Sequence, residues 1–391
     1  MKKIAILVVS LMLILTGCGK KTPEDLLGKF EKNIGNVKSY TLKGNMEILS
    51  NEETYTYSLE VNYLQDEFYK VALVNQTNNH EQIILKNKEG VYVITPALNK
   101  SFKFQSEWPE SSSQAYILAS ILKDIKNDAE KEVEEQDKGY VIKTKVNYPN
   151  NSDLNYQKIY FDKDMNLEKL EVYDNNDIIT IKMMFSSLNM KAGLKEEDFA
   201  LENLIDNTED KEQGSNNKNN EDKNNTDNKN QENATNNKDC ASGTTNCENN
   251  QKEETSNNNQ CENEECDKKT SNIIDSIIYP LYIPSETYLS NSEKIDTDEG
   301  NRVILTFAGD KNFVLIEEVA NIANDFEIIP VYGDPVMLSD TIAAKSANSM
   351  YWTSNNVSYY LTSNDLSTEE MVTIAESLGN AKTVSNITGS K

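Results

Sequence analysis

The chain has 391 residues and a formal net charge of -25, from 64 acidic against 39 basic side chains with Arg302 as its single arginine. That balance argues against binding DNA, RNA or anionic lipid headgroups through clustered Lys and Arg. The length accommodates two domains of about 100–200 residues each, and from Asp206 to Thr270 the chain holds no Val, Ile, Leu, Met, Phe, Tyr or Trp.

In chain order, Lys2 and Lys3 precede an apolar run from Ile4 to Leu15 and then Leu15-Thr16-Gly17-Cys18. A positive start with about a dozen apolar residues predicts a secretory signal, too short for a spanning helix of roughly 20 residues. Small residues before Cys18 resemble the lipobox of bacterial lipoproteins. The resemblance implies that Cys18 carries a diacyl (palmitate-type) anchor, becomes the mature N-terminus, and holds the protein on the extracytoplasmic face of the cell membrane.

A first folded region is expected over residues 21–205. Thr22 as N-cap, Pro23 at the first helical position and the stripe Leu26, Leu27, Phe30 and Ile34 predict a short helix stopped by Gly35. Strand-like runs follow at Tyr40–Leu49, Thr54–Leu64, Phe68–Val74, Gln82–Lys86, Val91–Ile94 and Ser101–Phe104, separated by Asn, Asp and Gly turns. Tyr55, Tyr57, Leu59, Val61 and Tyr63 alternate with polar residues, the period of a sheet with one buried face. A helix over Gln114–Ile125 should cover that face, and four more strands are expected at Tyr140–Tyr148, Tyr156–Phe161, Glu168–Tyr173 and Ile178–Phe185. The fold class is therefore α+β, a curved antiparallel sheet or open β-barrel wrapped around helices.

Residues 206–270 cannot bury enough apolar surface to offset their chain entropy and are expected to form a disordered linker with a span of about 45 Å. Four cysteines, Cys240, Cys247, Cys261 and Cys266, lie there. In an exported chain they permit disulfides, with 240–247 and 261–266 favoured by short separation among three pairings; spacings without a C-x-x-C pair argue against zinc. A small α+β domain is expected at 271–391. It opens with a helical turn or two at Ile273–Ile278, continues with strands Val303–Phe307, Phe313–Glu317, Met350–Thr353 and Val357–Thr362, and closes with a helix announced by the capping box Ser367 and Glu370, the Leu366–Met371 staple and a Gly379 stop.

The segment Gly90-Val91-Tyr92-Val93-Ile94-Thr95-Pro96 leading to Asn99-Lys100, then Ile159-Tyr160-Phe161-Asp162, Leu167-Glu168-Lys169-Leu170, and Phe185 followed by Phe199, resemble the LolA-like superfamily over most of residues 24–200. Within it the chain looks most like the sporulation and spore-germination lipoproteins of Firmicutes, the GerS and YdcC types. Trp352, Tyr359-Tyr360-Leu361, Leu366-Ser367 and Ile374-Ala375-Glu376-Ser377-Leu378 are similar to a small domain common in exported Gram-positive proteins. A LolA-like domain followed by a smaller one also resembles RseB-type sensors in architecture. The resemblance implies a membrane-anchored lipoprotein that binds a protein partner, such as a cell-wall or cortex-modifying enzyme, in sporulation or germination.

Catalytic chemistry is not signalled. His80 is the single histidine and sits in the polar turn Asn78-Asn79-His80-Glu81, with no Gly-x-Ser-x-Gly and no cysteine in either folded region. Asp162, Asp164 and Asn166 imitate the opening of a calcium loop, but Leu167 replaces the required glycine and Tyr173 the closing glutamate, so a hairpin turn is expected. No enzyme activity, metal or cofactor is called for. Tyr57, Tyr92 and Trp108 are candidates for the rim of a concave cavity, which in the alternative reading would hold an acyl lipid as a carrier or envelope-stress sensor.

Overall fold

The computed structural model describes residues 23–50, 53–65, 67–204, 273–274, 276–297 and 300–379. Cys18 with its lipobox, the segment 206–270 and Cys240, Cys247, Cys261 and Cys266 lie outside the described residues.

Helix α1 (Pro23–Ile34) is followed by β1 (Ser39–Ser50), β2 (Glu53–Leu64), β3 (Phe68–Asn75), β4 (Glu81–Asn87), β5 (Gly90–Thr95) and β6 (Lys100–Phe104), each antiparallel to the last. Helix α2 (Leu118–Asn127) precedes a second meander of β7 (Glu132–Gln136), β8 (Gly139–Lys145), β9 (Leu154–Asp162), β10 (Leu167–Asp174) and β11 (Ile179–Asn189). Strand β11 returns to pair with β1, from Thr41 opposite Asn189 to Ile48 opposite Ile181, and so fuses the two meanders. A bulge at Lys43/Gly44 interrupts that pairing. Gly44 is required there, because a Cβ would stand 2.4 Å from the carbonyl oxygen of Met184.

The expected alternation is present. Tyr57, Leu59 and Val61 of β2 are buried together with Leu42 and Met46 of β1 and Val71 and Leu73 of β3. Leu26 and Phe30 of α1 and Leu118, Ile121 and Ile125 of α2 join the same core, each such side chain contributing about 1.5–3 kcal/mol of burial. Strands β4 and β5 are buried on both faces, because the chain after β11 crosses behind them. Val91 and Val93 face the main core, while Tyr92 and Ile94 pack with Phe68, Leu85, Phe199 and Leu201. That explains their nearly unbroken apolar sequence.

The C-terminal region supplies β12 (Thr287–Thr297), β13 (Gly300–Gly309), β14 (Phe313–Val319), β15 (Glu327–Val331), β16 (Gly333–Met337), β17 (Ile342–Ser346), β18 (Ser349–Ser354), β19 (Val357–Thr362) and α3 (Thr368–Gly379). Seven of these strands form a sheet in the order β12-β13-β14-β19-β18-β17-β16, closed over Trp352, Tyr359, Met371, Ile374 and Leu378. Strand β15 leaves that sheet and pairs in parallel with β6, from Glu327 opposite Lys100 to Val331 opposite Phe104. The first sheet is therefore twelve-stranded, β15-β6-β5-β4-β3-β2-β1-β11-β10-β9-β8-β7, and open, with β15 and β7 as its edges among the described residues. The molecule is mostly sheet with few helices.

One expectation differs from the structure. The helix turn at Ile273–Ile278 does not form. The backbone N–H of Ile274 is donated to Asn301 Oδ1 at 2.7 Å and that of Ile278 to Glu317 Oε2 at 3.2 Å, so side chains of the sheet take the donors a helix would use, and Pro280 supplies none. Strand β15 of the region 271–391, expected as a small α+β domain, joins the sheet of residues 23–204. In contrast, the capping box is made as written: Ser367 N–H reaches Glu370 Oε2 at 2.7 Å, and Glu370 N–H reaches Ser367 Oγ at 3.1 Å.

Candidate functional site

The core face of the first sheet is occupied by the chain's own residues. Helices α1 and α2 cover one part, and the segment Pro335–Ile342, which runs from β16 through the turn into β17, covers another. A cavity of about 120 Å³ remains between that segment, the sheet and the residues 112–116 that precede α2. Its apolar wall includes Met46 and Ile48 of β1, Ile84 of β4, Trp108, Leu338 and Ile342, and its polar groups include Ser112, Ser113, Gln114 and Glu376. That volume falls below the roughly 300–1,000 Å³ of small-molecule sites.

Directional bonds hold the covering segment. Tyr57 Oη donates to the carbonyl oxygen of Ser339 at 2.8 Å. Gln82 Oε1 accepts from the Ile342 N–H at 2.8 Å and from Thr341 Oγ1 at 3.2 Å. Ser106 Oγ donates to Asp334 Oδ1 at 2.5 Å, and the Phe102 and Tyr351 rings meet with centroids 5.0 Å apart. Along the β6–β15 junction, Asn99 Nδ2 reaches the Ala323 carbonyl at 3.0 Å and Glu327 N–H reaches that of Asn99 at 2.9 Å. Ile342 and Ala344 are members of the main core of the first sheet, so the junction is apolar at its centre and hydrogen-bonded around it.

Carboxyl groups sit where solvent is scarce. Burial pushes Glu376 up to about 6, with the neighbouring charge of Asp340 adding to the effect and a hydrogen bond from Ser339 Oγ at 3.1 Å opposing it. Asp340 is raised by its own burial against a hydrogen bond from Ser354. His80, half-buried nearby, is lowered by burial, and Asp340 pulls it back up. Both serines give their protons to carboxylates and neither to the imidazole, and these bonds fasten the loop Leu338–Thr341. Among the described residues no group of three or more His, Cys, Asp and Glu side chains could hold a metal ion. Asp162 accepts from the Asp164 and Asn166 N–H groups at 2.8 and 2.9 Å and closes the β9–β10 turn.

The three rim candidates separate. Trp108 lines the cavity and is 3% exposed. Tyr57 is buried, does not line the cavity, and serves as the fastener of Ser339. Tyr92 lies on the opposite face of the sheet, in the cluster around Phe199, because neighbours in a strand point to opposite sides. Gln82 carries a central contact that the strand pattern alone did not single out. Its signal was present, a polar residue beside Ile83 and Ile84 in a strand buried on both faces.

No helix among the described residues is long and apolar enough to cross a membrane. Among solved structures, the chain is similar to the MucA/MucB complex of Pseudomonas aeruginosa, 10% identical over 90% of this chain and 96% of that one with a TM-score of 0.28. It is also similar to the CwlD amidase of Clostridioides difficile in complex with the GerS lipoprotein, 19% identical over 43% and 95% with a TM-score of 0.20. At such TM-scores neither likeness carries an argument. Sequence comparison is firmer: the model of the family described as "Sporulation protein YdcC-like" matches residues 1–199. Sporulation protein YdcC of Bacillus subtilis (strain 168) is 33% identical over 368 residues, 94% of this chain and 93% of that protein. With an aligned relative running through both the β1–β11 region and the C-terminal sheet, the chain belongs to the YdcC-like sporulation protein family.

Proposed function

We propose that this protein is a non-catalytic lipoprotein, anchored through Cys18 on the extracytoplasmic face of a membrane, that docks a partner protein during spore formation or germination. Membership of a sporulation family supports the process. The observation that carries the docking reading is the occupied core face: α1, α2 and Pro335–Ile342 pack on the sheet, and the cavity beside Pro335–Ile342 holds only about 120 Å³, so that part of the molecule offers its outside to a partner and little interior to a ligand. A cell-wall or cortex-modifying enzyme is the partner class that suits the compartment.

Two measurements test this in a spore-forming host. Cys18→Ala should move the protein from the membrane to the soluble fraction. Photo-crosslinking from benzoylphenylalanine at the exposed position Tyr332, 72% accessible, and at Asn291 of β12 should yield a discrete protein adduct in sporulating cells. A protein that stays membrane-bound without Cys18, or that gives no adduct, removes the corresponding half of the reading.

One observation favours a second reading, an acyl-lipid carrier or envelope-stress sensor. A groove of about 480 Å³ beside α1 is lined by Phe30, Ile34, Met165, Leu167, Phe185 and Leu188, within the size range of ligand sites. Native mass spectrometry of Gly19–Lys391 purified without detergent separates the two: bound acyl lipid supports the carrier, and a bare polypeptide mass supports docking.

A further inference from the structure

The two sheets have four edges among the described residues, and three of them are blunted. Strand β7, Glu-Val-Glu-Glu-Gln, is five residues long with three carboxylates. Strands β15 and β16 are also five residues long and carry Pro330 and Pro335. Short edges, edge charges and edge prolines are the usual protections against adding a further strand. Strand β12 is different. It runs for eleven residues without proline, pairs with β13 alone through a ladder that has one bulge between Leu289 and Asn291 and is regular from Asn291 to Thr297, and is exposed on both faces from Tyr288 to Thr297.

A strand paired on one side presents a row of backbone N–H and C=O groups on the other, and the group that satisfies such a row is another strand. The side chains along this edge are selective. Tyr288, Leu289 and Ile295 are 61%, 38% and 43% exposed, which gives an incoming strand apolar contacts near both ends. Glu293 lies between them, opposite Ile304, at the end of a cross-strand row that continues through Ile316 and Tyr360. Asp296 follows, and Lys294, the edge's one cation, is engaged with the carbonyl of Ile274 at 2.9 Å. Glu293 accepts a hydrogen bond from Asn291 Nδ2 at 2.7 Å and keeps its charge, so the net charge of the edge is negative, on a chain of net charge -25. A second copy would bring the same carboxylates and the same net charge, whereas a basic segment would neutralise them.

We infer that the outer edge of β12 is a docking site for an extended, basic segment of a partner protein, which adds as an eighth strand with a Lys or Arg facing Glu293. This rests on the docking reading above and gives it a surface. An apolar residue two positions from that cation would meet Ile295, and one four positions away on the other side would meet Tyr288, since the bulge at Ser290 puts Tyr288 opposite Ala308, four residues from Ile304 on β13.

The test uses the soluble Gly19–Lys391 chain and two fluorescein-labelled ten-residue probes of valine and threonine, one with two central lysines and one with two central glutamates. Fluorescence anisotropy should give saturable binding of the lysine probe and at least tenfold weaker binding of the glutamate probe. Exchanging the edge charges with Glu293→Lys and Asp296→Lys should reverse that preference. Ser292→Pro and Glu293→Pro are made separately. Consecutive residues direct their backbone groups to opposite sides, so one of the two removes a bond to β13 and lowers Tm, and the other removes an outward donor at unchanged Tm and should abolish binding. The proposal is overturned if the lysine probe does not bind, if neither proline variant weakens it, or if light scattering shows a dimer that the proline variants dissolve, which would assign the edge to a second copy. If the in-cell adduct persists in the proline variants, this edge is the wrong surface and the docking reading stands. Absence of any adduct from wild type removes both.

Discussion

The hydroxyl of Tyr57, in the second strand of the first sheet, donates at 2.8 Å to the main-chain carbonyl of Ser339, 282 residues later. Both groups are buried, so the bond is made in a low-dielectric setting where losing one partner strands the other. Tyr57→Phe keeps the ring and removes only the donor. It should cost about 1–3 kcal/mol in urea denaturation. Tyr156→Phe, which removes an exposed bond to Asp177, should stay within about 0.5 kcal/mol.

Ile342 couples the covering segment to the sheet twice, through its N–H to Gln82 and through its side chain in the main core. Ile342→Ala should cost about 2–5 kcal/mol. The upper part of that range is expected, because the new void opens onto the existing cavity of about 120 Å³, whose walls are held by sheet and helices and do not collapse. A fall in Tm of both sheets together would show that the segment stabilises the whole unit; loss of the C-terminal sheet alone would show that it does not.

Stability should decline as pH rises through neutrality. Burial holds Glu317 at about 7 and Glu376 at about 6, both above the ordinary 4.5, and Asp124 at about 6 above its ordinary 3.8. With folded values above unfolded ones, the native state binds more protons between about pH 4 and 7, and stability falls across that window as pH rises. Glu317 is fully buried, and its Oε1 has no hydrogen-bond partner among the described residues. Glu317→Gln removes the charge that burial penalises and should raise stability at pH 8 by roughly 2–3 kcal/mol, since each tenfold change in a proton affinity is worth about 1.4 kcal/mol. At pH 5 the same substitution should change stability little. His80 acts in the other direction: lowered by burial below its ordinary 6.5, it contributes stability that is lost as pH falls through that region. Denaturation curves from pH 5 to 8 for wild type, Glu317→Gln and Glu376→Gln check the slope.

Helix α3 carries Met371, Ile374 and Leu378 into the second core, and its start depends on the reciprocal bonds of Ser367 and Glu370. Ser367→Ala should cost about 1 kcal/mol and Ser367→Gly less than that, measured by thermal melting of the same chain.

Most strands of the first sheet were legible because one face is buried and one is not, which writes a period of two into Tyr57, Leu59 and Val61. Strand β7 was not, since Glu132, Glu134 and Glu135 lie on an exposed edge where nothing selects alternation. Strands β15 and β16 were hidden by Pro330 and Pro335, which read locally as breaks. Tyr92 and Trp108 looked equivalent as rim aromatics, yet Trp108 lines the cavity and Tyr92 sits behind the sheet, because the chain through Phe199 covers that second face.

By itself the sequence determined what depends on near neighbours: the signal-like start before Cys18, the gap in apolar residues from Asp206 to Thr270, the alternation of the strands and the Ser367 capping box. Those features are set by solvation and backbone preferences over a few residues. Only the tertiary structure decided that β15 joins β6 in parallel, that Pro335–Ile342 closes over the core face, and that β12 is left as the long free edge. A period states which residues share a face and says nothing of what that face meets; contacts between residues more than 200 positions apart are chosen by matching buried surfaces and unpaired backbone groups once the whole chain has folded.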